Sequence, residues 1–245
     1  MKTKIYPNFL TFSKQKFILS LTILFIFISI RNSLAQNFYI DPQNGNINND
    51  GSYDKPWSTL KDVFEQNKIE TQKLASYPYV PETSLIPKNI GAPVKSGDTL
   101  VLRNGFHGTI YACEYYNKDY ITITAQNGHS PTLGTIELRS GCKWILKNLR
   151  VSPSYESVYV KNRLINFSSH GWTGPSYDCI VENCIAFSVS DADSWTIEDW
   201  NNLSCHGINL PGENMIARNN YLKNVDIGID VTGKSCLVDG NIIEN

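Results

Sequence analysis

The feature that most limits how this chain can fold is a repeat of 21 residues near its C-terminus. Residues 207–210 (GINL) recur as residues 228–231 (GIDV), and residues 215–221 recur with the same offset as residues 236–242. An earlier copy begins at Cys179. A constant period of this length is typical of a solenoid in which each repeat forms one coil. The alternative, a β-sandwich of antiparallel strands, gives no reason for a fixed offset.

The rest of the chain from residue 96 onward fits this interpretation. Short runs of β-branched and other apolar residues alternate with Gly, Asn, Asp and Ser, and no amphipathic helix of ten residues is predicted after residue 97. Side chains alternate across a strand, so Ile208 and Leu210 point to the core while Asn209 points out. Asn219, Asn220 and Asn241 fall at turns, where asparagine tolerates left-handed backbone and can bond to an adjacent coil. These patterns predict an all-β, right-handed parallel β-helix over residues 96–245.

The N-terminal region predicts export. Basic residues precede an apolar run over residues 17–30, and small residues at 33 and 35 precede Gln36. Residues 1–35 therefore form a predicted secretory signal peptide, because the apolar run is shorter than the roughly 20 residues that cross a bilayer. An uncleaved N-terminal anchor is the alternative. We expect a secreted protein, extracellular or periplasmic, whose mature chain has no membrane span.

Charge and cysteine usage limit the partners. The net charge is −1 and the pI is about 6.4, which does not suggest nucleic acid as a partner. Six cysteines in an exported chain permit disulfides. Cys179 and Cys236 occupy matching places in the repeat, however, so stacked buried thiols are an equally good interpretation, and both stay open.

Residues 36–95 are expected to form an N-terminal cap followed by a loop insertion. Residues 57–68 predict a short helix that buries Leu60, Val63 and Phe64 and covers the first coil, and residues 69–95 predict the loop. Nothing resembling a polar closing element precedes Asn245, so we expect the β-helix to be truncated at its C-terminus. The alternative is a short β-helix closed by dimerisation or disorder.

Two segments carry a resemblance to a known family. Residues 38–42 (FYIDP), 49–52 (NDGS) and 55–60 (KPWSTL) resemble the start of bacterial secreted β-helix proteins. Residues 96–102, 121–125 and 144–149 resemble the first coils of polysaccharide lyases of the chondroitinase B and alginate lyase type. The resemblance implies a pectate-lyase-like fold and a polysaccharide partner. It also implies calcium ligands and Lys or Arg catalysts on later coils, and no confident match to that set occurs before Asn245.

The repeat also predicts where substrate would bind. Aligning the strands places Glu137, Asn166, Asn209 and Asp230 in one outward row, which we interpret as substrate-binding residues. The long spacing between Asn166 and Asn209 indicates an insertion over residues 188–205, and insertions of solenoids often carry function.

That insertion predicts two kinds of contact. Trp195 and Trp200 are candidates for stacking on sugar rings, and Asp191, Asp193 and Asp199 are candidate ligands for Ca²⁺. It lacks the register of a known calcium loop. The alternative is a solvated polar loop.

His206, Lys161 and Arg163 are the candidate catalytic residues. β-Elimination on a uronic acid needs a cation near the sugar carboxylate and a base that removes the C5 proton. The alternatives are a hydrogen-bonded structural role for His206 and surface solvation of Lys161 and Arg163.

Three functions follow as hypotheses. The favoured one is a lyase that acts on an anionic polysaccharide. The second is a non-catalytic glycan-binding or cell-surface β-helix protein. The third is a glycoside hydrolase with paired carboxylates, because residues 205–208 (CHGI) resemble the His-Gly element of polygalacturonase-type hydrolases and follow Asp191 and Asp193.

Overall fold

A computed structural model describes residues 35–245 of the chain. The predicted signal peptide therefore lies, apart from Ala35, outside the described residues. Between residues 35 and 245, no helix is long and apolar enough to cross a membrane.

The described residues form short strands and two short α-helices. The helices are α1 (Leu60–Glu65) and α2 (Ile197–Leu203), and a 3₁₀ turn covers Pro153–Tyr155. The first nine strands are β1 (Asn37–Ile40), β2 (Thr71–Leu74), β3 (Leu85–Lys88), β4 (Thr99–Leu102), β5 (Gly105–Phe106), β6 (Ile110–Ala125), β7 (Pro131–Leu133), β8 (Ile136–Lys147) and β9 (Arg150–Val151). The others are β10 (Arg163–Asn166), β11 (Ile180–Glu182), β12 (Ile185–Phe187), β13 (Cys205–Leu210), β14 (Ile216–Arg218), β15 (Tyr221–Lys223), β16 (Val225–Val231), β17 (Leu237–Asp239) and β18 (Ile242–Glu244).

All these strands except β2 and β3 stack in parallel into three ladders. Ladder 1 contains β1, β4, the second halves of β6 and β8, β11, β14 and β17. Ladder 2 contains β5, β7, β9, β12, β15 and β18. Ladder 3 contains the first halves of β6 and β8, then β10, β13 and β16. The chain passes through the ladders in turn, so the predicted all-β parallel β-helix is confirmed.

The coils differ in length, although their strands stay in register. Ladder 1 aligns Leu100, Ile123, Leu146, Val181, Ala217 and Val238. The 21-residue period holds for the last step alone, because earlier coils carry extra residues outside the strands. The apolar side chains of all three ladders form one continuous core, which includes Ile136, Ile165 and Ile208.

In the last four coils, the turn from ladder 1 to ladder 2 has a left-handed residue at the same place. The position has φ 57° at Asn148, 53° at Asn183, 54° at Asn219 and 62° at Gly240. A positive φ is costly for most side chains, and asparagine and glycine tolerate it best. The recurring Asn in the sequence thus marks a backbone requirement of the turn, as we predicted for Asn219.

Asn220 and Asn241, the next residues in this turn, bind backbone instead. Asn220 is 1% exposed, and its Oδ1 accepts from the Cys184 N–H at 2.9 Å. Its Nδ2 donates to the Val181 carbonyl at 3.1 Å and to Asn241 Oδ1 at 2.9 Å. Buried backbone groups need such partners when a turn leaves them outside the strand ladders. The side chain therefore links three successive coils.

All six cysteines lie in the described part of the chain and are free thiols. Cys179 and Cys236 stack above and below Met215, since the Ile216 N–H donates to the Cys179 carbonyl and the Leu237 N–H donates to the Met215 carbonyl, both at 2.9 Å. Their matching places in the repeat thus correspond to stacked core positions. Burial raises the pKa of the Cys184 thiol to about 12, which keeps it protonated and unreactive.

Helix α1 packs against the first coils, as the sequence predicts, but is shorter than residues 57–68. Thr59 and Asp62 form a capping box at its start, and Leu60, Val63 and Phe64 are buried. The Phe64 ring lies 5.5 Å from that of Tyr115 in the first full coil. The helix therefore continues the core beyond the first parallel strands.

The segment over residues 69–95 is not the simple loop that the sequence predicts. β2 and β3 form an antiparallel hairpin, which packs beside β6. Leu74 buries its side chain with Tyr116 and Cys142, and Thr71 Oγ1 donates to Asn117 Oδ1 at 2.7 Å. These contacts come from β6 and β8, so local sequence could not indicate that the segment would be ordered.

Glu182 holds two cations on the outer side of ladder 1. Its carboxylate lies 3.0 Å from Lys147 Nζ and accepts from Arg218 Nε at 2.6 Å, and the three residues are register neighbours. Partial burial raises the pKa of Glu182, but the hydrogen bonds from Lys147 and Arg218 outweigh it and leave the pKa below its ordinary value. The ionised form is therefore stabilised by folding.

We predict that Asn220→Ala lowers the free energy of unfolding by about 2–4 kcal/mol, because it leaves the buried Cys184 N–H and the Val181 carbonyl without their partner. Chemical denaturation with circular dichroism measures the change. Asn202→Ala, at an exposed position of α2, is the control and should change stability little. Equal stability of the two variants would contradict a role for Asn220 in joining the coils.

We predict that Glu182→Gln costs about 1–2 kcal/mol near pH 7 and nothing at low pH. Folding lowers the pKa of Glu182, so the stabilisation is complete above the unfolded-state pKa of about 4.3. It disappears as the pH falls through the lower pKa of the folded state. Denaturation of both proteins between neutral and acid pH measures this convergence. Glu65→Gln, which removes an exposed pair with Lys61, should show a much smaller pH-dependent difference.

Candidate functional site

Two insertions in successive coils meet at the start of the ladder 3 strands. The first covers residues 152–162, between β9 and β10, and the second covers residues 188–204, between β12 and β13. The Tyr159 hydroxyl donates to the Leu203 carbonyl, and Lys161 Nζ donates to the Asn201 carbonyl at 2.8 Å. The spacing of the repeat indicated the second insertion, whereas its contact with the first depends on the stacking of coils.

The three predicted catalytic residues lie together at this junction. Lys161, Arg163 and His206, with Asn162, line an open pocket of about 320 Å³. Arg163 and His206 are register neighbours on β10 and β13, and Lys161 lies two residues before the start of β10. Lys161 and Arg163 are exposed and His206 is half-buried. The pocket therefore presents a guanidinium, an amine and an imidazole to solvent.

Asp226 is a further member of this cluster that sequence reasoning missed. Its Oδ2 lies 3.3 Å from His206 Nε2 and 3.7 Å from Lys161 Nζ. The register between β13 and β16 shifts here, since Cys205 pairs with Val225 while His206 pairs with Ile227. Asp226 is thus the extra residue of an irregularity, which a simple repeat alignment cannot place.

The contact with Asp226 also limits what His206 can do. His206 Nε2 faces Asp226, whereas Nδ1 is buried and has no hydrogen-bond partner among the described residues. An imidazole acts as a base through an accessible unprotonated nitrogen. In this arrangement His206 can exchange protons with a ligand through Nε2 alone, in competition with Asp226.

The predicted outward row is a row in the structure as well. Glu137 pairs with Asn166, Asn166 with Asn209, and Asn209 with Asp230. The Asn209 amide Nδ2 donates to Asn166 Oδ1 at 2.8 Å, and these two residues are 8% and 7% exposed. The two amides therefore bind mainly to each other, and Glu137 and Asp230 at either side are the more accessible members.

Glu137 is itself partly occupied by neighbours. Its Oε1 accepts from Arg139 Nη2 and from Ser168 Oγ, both at 2.8 Å. Tyr111 pairs with Glu137 from the preceding strand and is 58% exposed, so it extends the row by one coil. Its place in the row was missed because β6 is one long strand that contributes to two ladders.

The second insertion contains helix α2 instead of an irregular loop. Thr196 and Asp199 form a capping box at its start, and none of its residues is buried. Trp195 and Trp200 pack edge to face, with ring centroids 5.0 Å apart and an interplanar angle of 85°. The edge of one indole ring therefore covers part of the other ring's face, on which a sugar would have to stack.

The three carboxylates predicted to bind Ca²⁺ do not form a ligand set. Asp199 Oδ2 accepts from the Thr196 N–H at 2.8 Å, and Asp191 Oδ1 accepts from the Asp193 N–H at 2.9 Å. Across residues 35–245, no group of three or more His, Cys, Asp or Glu side chains is placed to hold a metal ion. The geometry of these carboxylates thus does not support a calcium site.

The fold of this chain has counterparts among known structures. The chain is similar in fold to a rhamnogalacturonan lyase. The TM-score is 0.54 at 14% sequence identity, over 85% of this chain and 51% of that one. A crystal structure of pectate lyase Pel9A aligns with a TM-score of 0.44 at 13% identity, over 83% of this chain and 48% of that one.

The likeness to the rhamnogalacturonan lyase shows the fold and no more. At 14% identity the likeness to the rhamnogalacturonan lyase does not carry its activity to this chain. The chain spans about half the length of each of these two solved structures. No family model and no curated protein matches the sequence. The resemblance to β-helix polysaccharide lyases is therefore supported in its architecture, and activity must be argued from the site.

Proposed function

We propose that this protein is a secreted polysaccharide lyase that acts on an anionic polysaccharide. The observation that carries the proposal is the convergence of Lys161, Arg163 and His206 on one open pocket at the edge of ladder 3. These residues come from two coils and meet only through the stacking of β10 on β13. Cationic and proton-transferring groups are the two requirements of β-elimination on a uronic acid.

Arg163 is the residue best suited to hold the sugar carboxylate. It is exposed, and no carboxylate of the described residues lies within ion-pair distance of its guanidinium. A guanidinium can bind a carboxylate through two parallel hydrogen bonds, which gives direction as well as charge. Binding of this kind would stabilise the negative charge that develops on the carboxylate when the C5 proton leaves.

Lys161 and His206 would then carry the proton transfers. In β-elimination the C5–H bond breaks, its proton passes to a base, and its electron pair forms the C4=C5 double bond. The C4–O bond breaks at the same time, and the departing oxygen takes a proton from an acid. Lys161 Nζ, as the neutral amine, is assigned as the base, and His206 Nε2, as the imidazolium, is assigned as the acid, because these are the accessible nitrogen atoms beside Arg163.

Asp226 has a positioning role in this scheme. Its carboxylate lies within 4 Å of both Lys161 Nζ and His206 Nε2, so it holds the two groups on one side of the pocket. The accessible members of the polar row, Glu137 and Asp230, would bind sugar hydroxyls along the strands. Such contacts orient a polymer relative to the reacting ring.

We predict that the protein forms unsaturated uronides from at least one of alginate, polygalacturonate and glycosaminoglycans. The conjugated double bond gives an ultraviolet absorbance that measures the rate. Arg163→Ala should raise KM strongly, and Lys161→Ala should lower kcat at least about a hundredfold, the usual contribution of a general base. Lys118→Ala, at an exposed position away from this pocket, is the control and should leave both unchanged.

The absence of unsaturated product from every polysaccharide in the panel would refute the lyase proposal. New reducing ends without the absorbance would point instead to a glycoside hydrolase.

One observation favours a second candidate, a glycan-binding protein without turnover. Both Lys161 and His206 already share Asp226, and the second nitrogen of His206 is buried without a partner among the described residues. Arg163 then keeps its unpaired charge and can bind an anionic sugar, while Asp226 holds Lys161 and His206 and no proton moves.

For this candidate we predict that anionic polysaccharides bind without any product and that binding weakens as salt screens the charges. Trp195→Ala and Trp200→Ala measure whether α2 takes part, by affinity electrophoresis in gels that contain the polysaccharide. A loss of retardation would assign sugar stacking to this insertion. Retardation equal to that of the unaltered protein would exclude the insertion from the binding surface.

A further inference from the structure

A third insertion lies at the opposite end of the ladder 3 strands. Residues 167–179 connect β10 to β11 and place Trp172 at the surface, where it is 56% exposed. Tyr77, between β2 and β3, is 40% exposed. The two rings are parallel, with an interplanar angle of 2° and centroids 6.5 Å apart. Neither residue belongs to the pocket described above.

Backbone contacts hold this aromatic pair in place. The Tyr79 N–H donates to the Trp172 carbonyl at 2.9 Å and so ties the hairpin to the insertion. His170 and Gly174 exchange backbone hydrogen bonds of 2.9 and 2.7 Å around Trp172. The Tyr116 hydroxyl donates to the Thr173 carbonyl at 2.8 Å. The rings are therefore presented on an ordered support, which reduces the entropy lost when a ligand binds.

Glu114 determines the charge beside the pair. The Tyr77 hydroxyl donates to Glu114 Oε1 at 2.5 Å. Burial, and then the hydrogen bond to Glu114, raise the pKa of Tyr77 to about 12, so the phenol stays neutral. The nearby carboxylate would repel the carboxylate of a uronic acid. An uncharged ligand suits this location better than an anionic one.

The orientation of the rings distinguishes this pair from the tryptophans near α2. Trp195 and Trp200 meet at 85°, so one ring covers the other. Tyr77 and Trp172 instead stack with parallel planes, at the outer end of the range for aromatic pairs of about 4.5–7 Å, so the face of each ring that points away from its partner is not crossed by the partner's edge. Parallel exposed faces can pack against the C–H face of a sugar ring, which removes apolar surface from water.

We propose that Tyr77 and Trp172 form a binding site for an uncharged pyranose unit of a polysaccharide. A protein partner would need a buried area of about 1,000 Å² or more, which two partly exposed rings do not supply. The proposal rests on the proposed polysaccharide ligand but not on lyase activity. The Tyr77–Trp172 site is therefore a stacking site separate from the cationic pocket.

Its position suggests what kind of polymer the protein binds. The cationic pocket lies at the start of β10 and the Trp172 insertion follows its end, so the four residues of this strand, about 13 Å at about 3.3 Å per residue, lie between them. Ser140 on β8 bonds to Thr173 across 2.7 Å, which anchors the insertion to ladder 3. A chain that crosses ladder 3 would place an acidic unit at one end and an uncharged unit at the other.

Isothermal titration calorimetry of the whole protein tests the site with soluble galactan, xylan and mixed-linkage β-glucan as uncharged pyranose probes, and with polygalacturonate as the acidic probe. We expect at least one uncharged probe to bind, and Trp172→Ala to weaken it about tenfold or more. Trp172→Phe should retain most of the affinity because it keeps an aromatic face. Tyr53→Ala, at an aromatic side chain that is exposed to the same 56% but lies in neither proposed site, is the matched control and should bind as the unaltered protein does.

The outcomes separate this site from the proposed function. If no uncharged probe binds, or if a folded Trp172→Ala variant binds them all normally, the Tyr77–Trp172 site is refuted. A loss of binding in Tyr53→Ala as large as that in Trp172→Ala would also refute it. Absence of unsaturated product with Trp172-dependent binding intact would refute the lyase proposal and leave the site in place. Circular dichroism and thermal unfolding verify that each variant is folded.

Discussion

Parallel backbone hydrogen bonds between successive coils are the interaction on which every other feature of this protein depends. They require each coil to return to the same three strand positions, whatever the number of residues between them. The left-handed turn at Asn148, Asn183, Asn219 and Gly240 makes that return possible without breaking the ladders. Where the turn leaves backbone groups without strand partners, Asn220 and Asn241 supply them. The backbone conformation of the turns and the hydrogen bonds of these two amide side chains thus both keep successive coils in register.

The same constraint explains how functional groups from distant parts of the chain come together. Because strands stay in register, extra residues must leave the coil at the ends of strands, and insertions in neighbouring coils then lie side by side. Lys161 and Asn201 meet in this way at one end of ladder 3, and at the other end Trp172 meets Tyr77 of the hairpin outside the coils. The strands between them carry polar side chains at a regular spacing. Ladder 3 therefore carries polar side chains along its strands, with a cationic pocket at one end of the strands and an aromatic pair at the other.

Local charge balance gives the cationic edge its particular character. Asp226 lies close to Lys161 and His206, whereas Arg163 is left open to solvent. Such an arrangement can hold an anion through Arg163 while Asp226 keeps the other two groups near it. Whether protons also move depends on how readily His206 Nε2 and Lys161 Nζ exchange Asp226 for a ligand. In the proposed function, turnover requires Lys161 and His206 to exchange their contact with Asp226 for the ligand, whereas binding does not.

The sequence by itself determined the parallel β-helix, the helix that buries Leu60, Val63 and Phe64, and the row from Glu137 to Asp230, because these depend on local alternation and on a repeat that can be read along the chain. Tertiary structure alone decided three features: the ordered hairpin within residues 69–95, the place of Asp226, and the pairing of Tyr77 with Trp172. Each of these depends on contacts between segments that the repeat does not align: a hairpin outside the coils, an irregular residue in β16 and an insertion of its own length. Register between coils is encoded in periodicity, but contacts between insertions arise only once the coils are stacked.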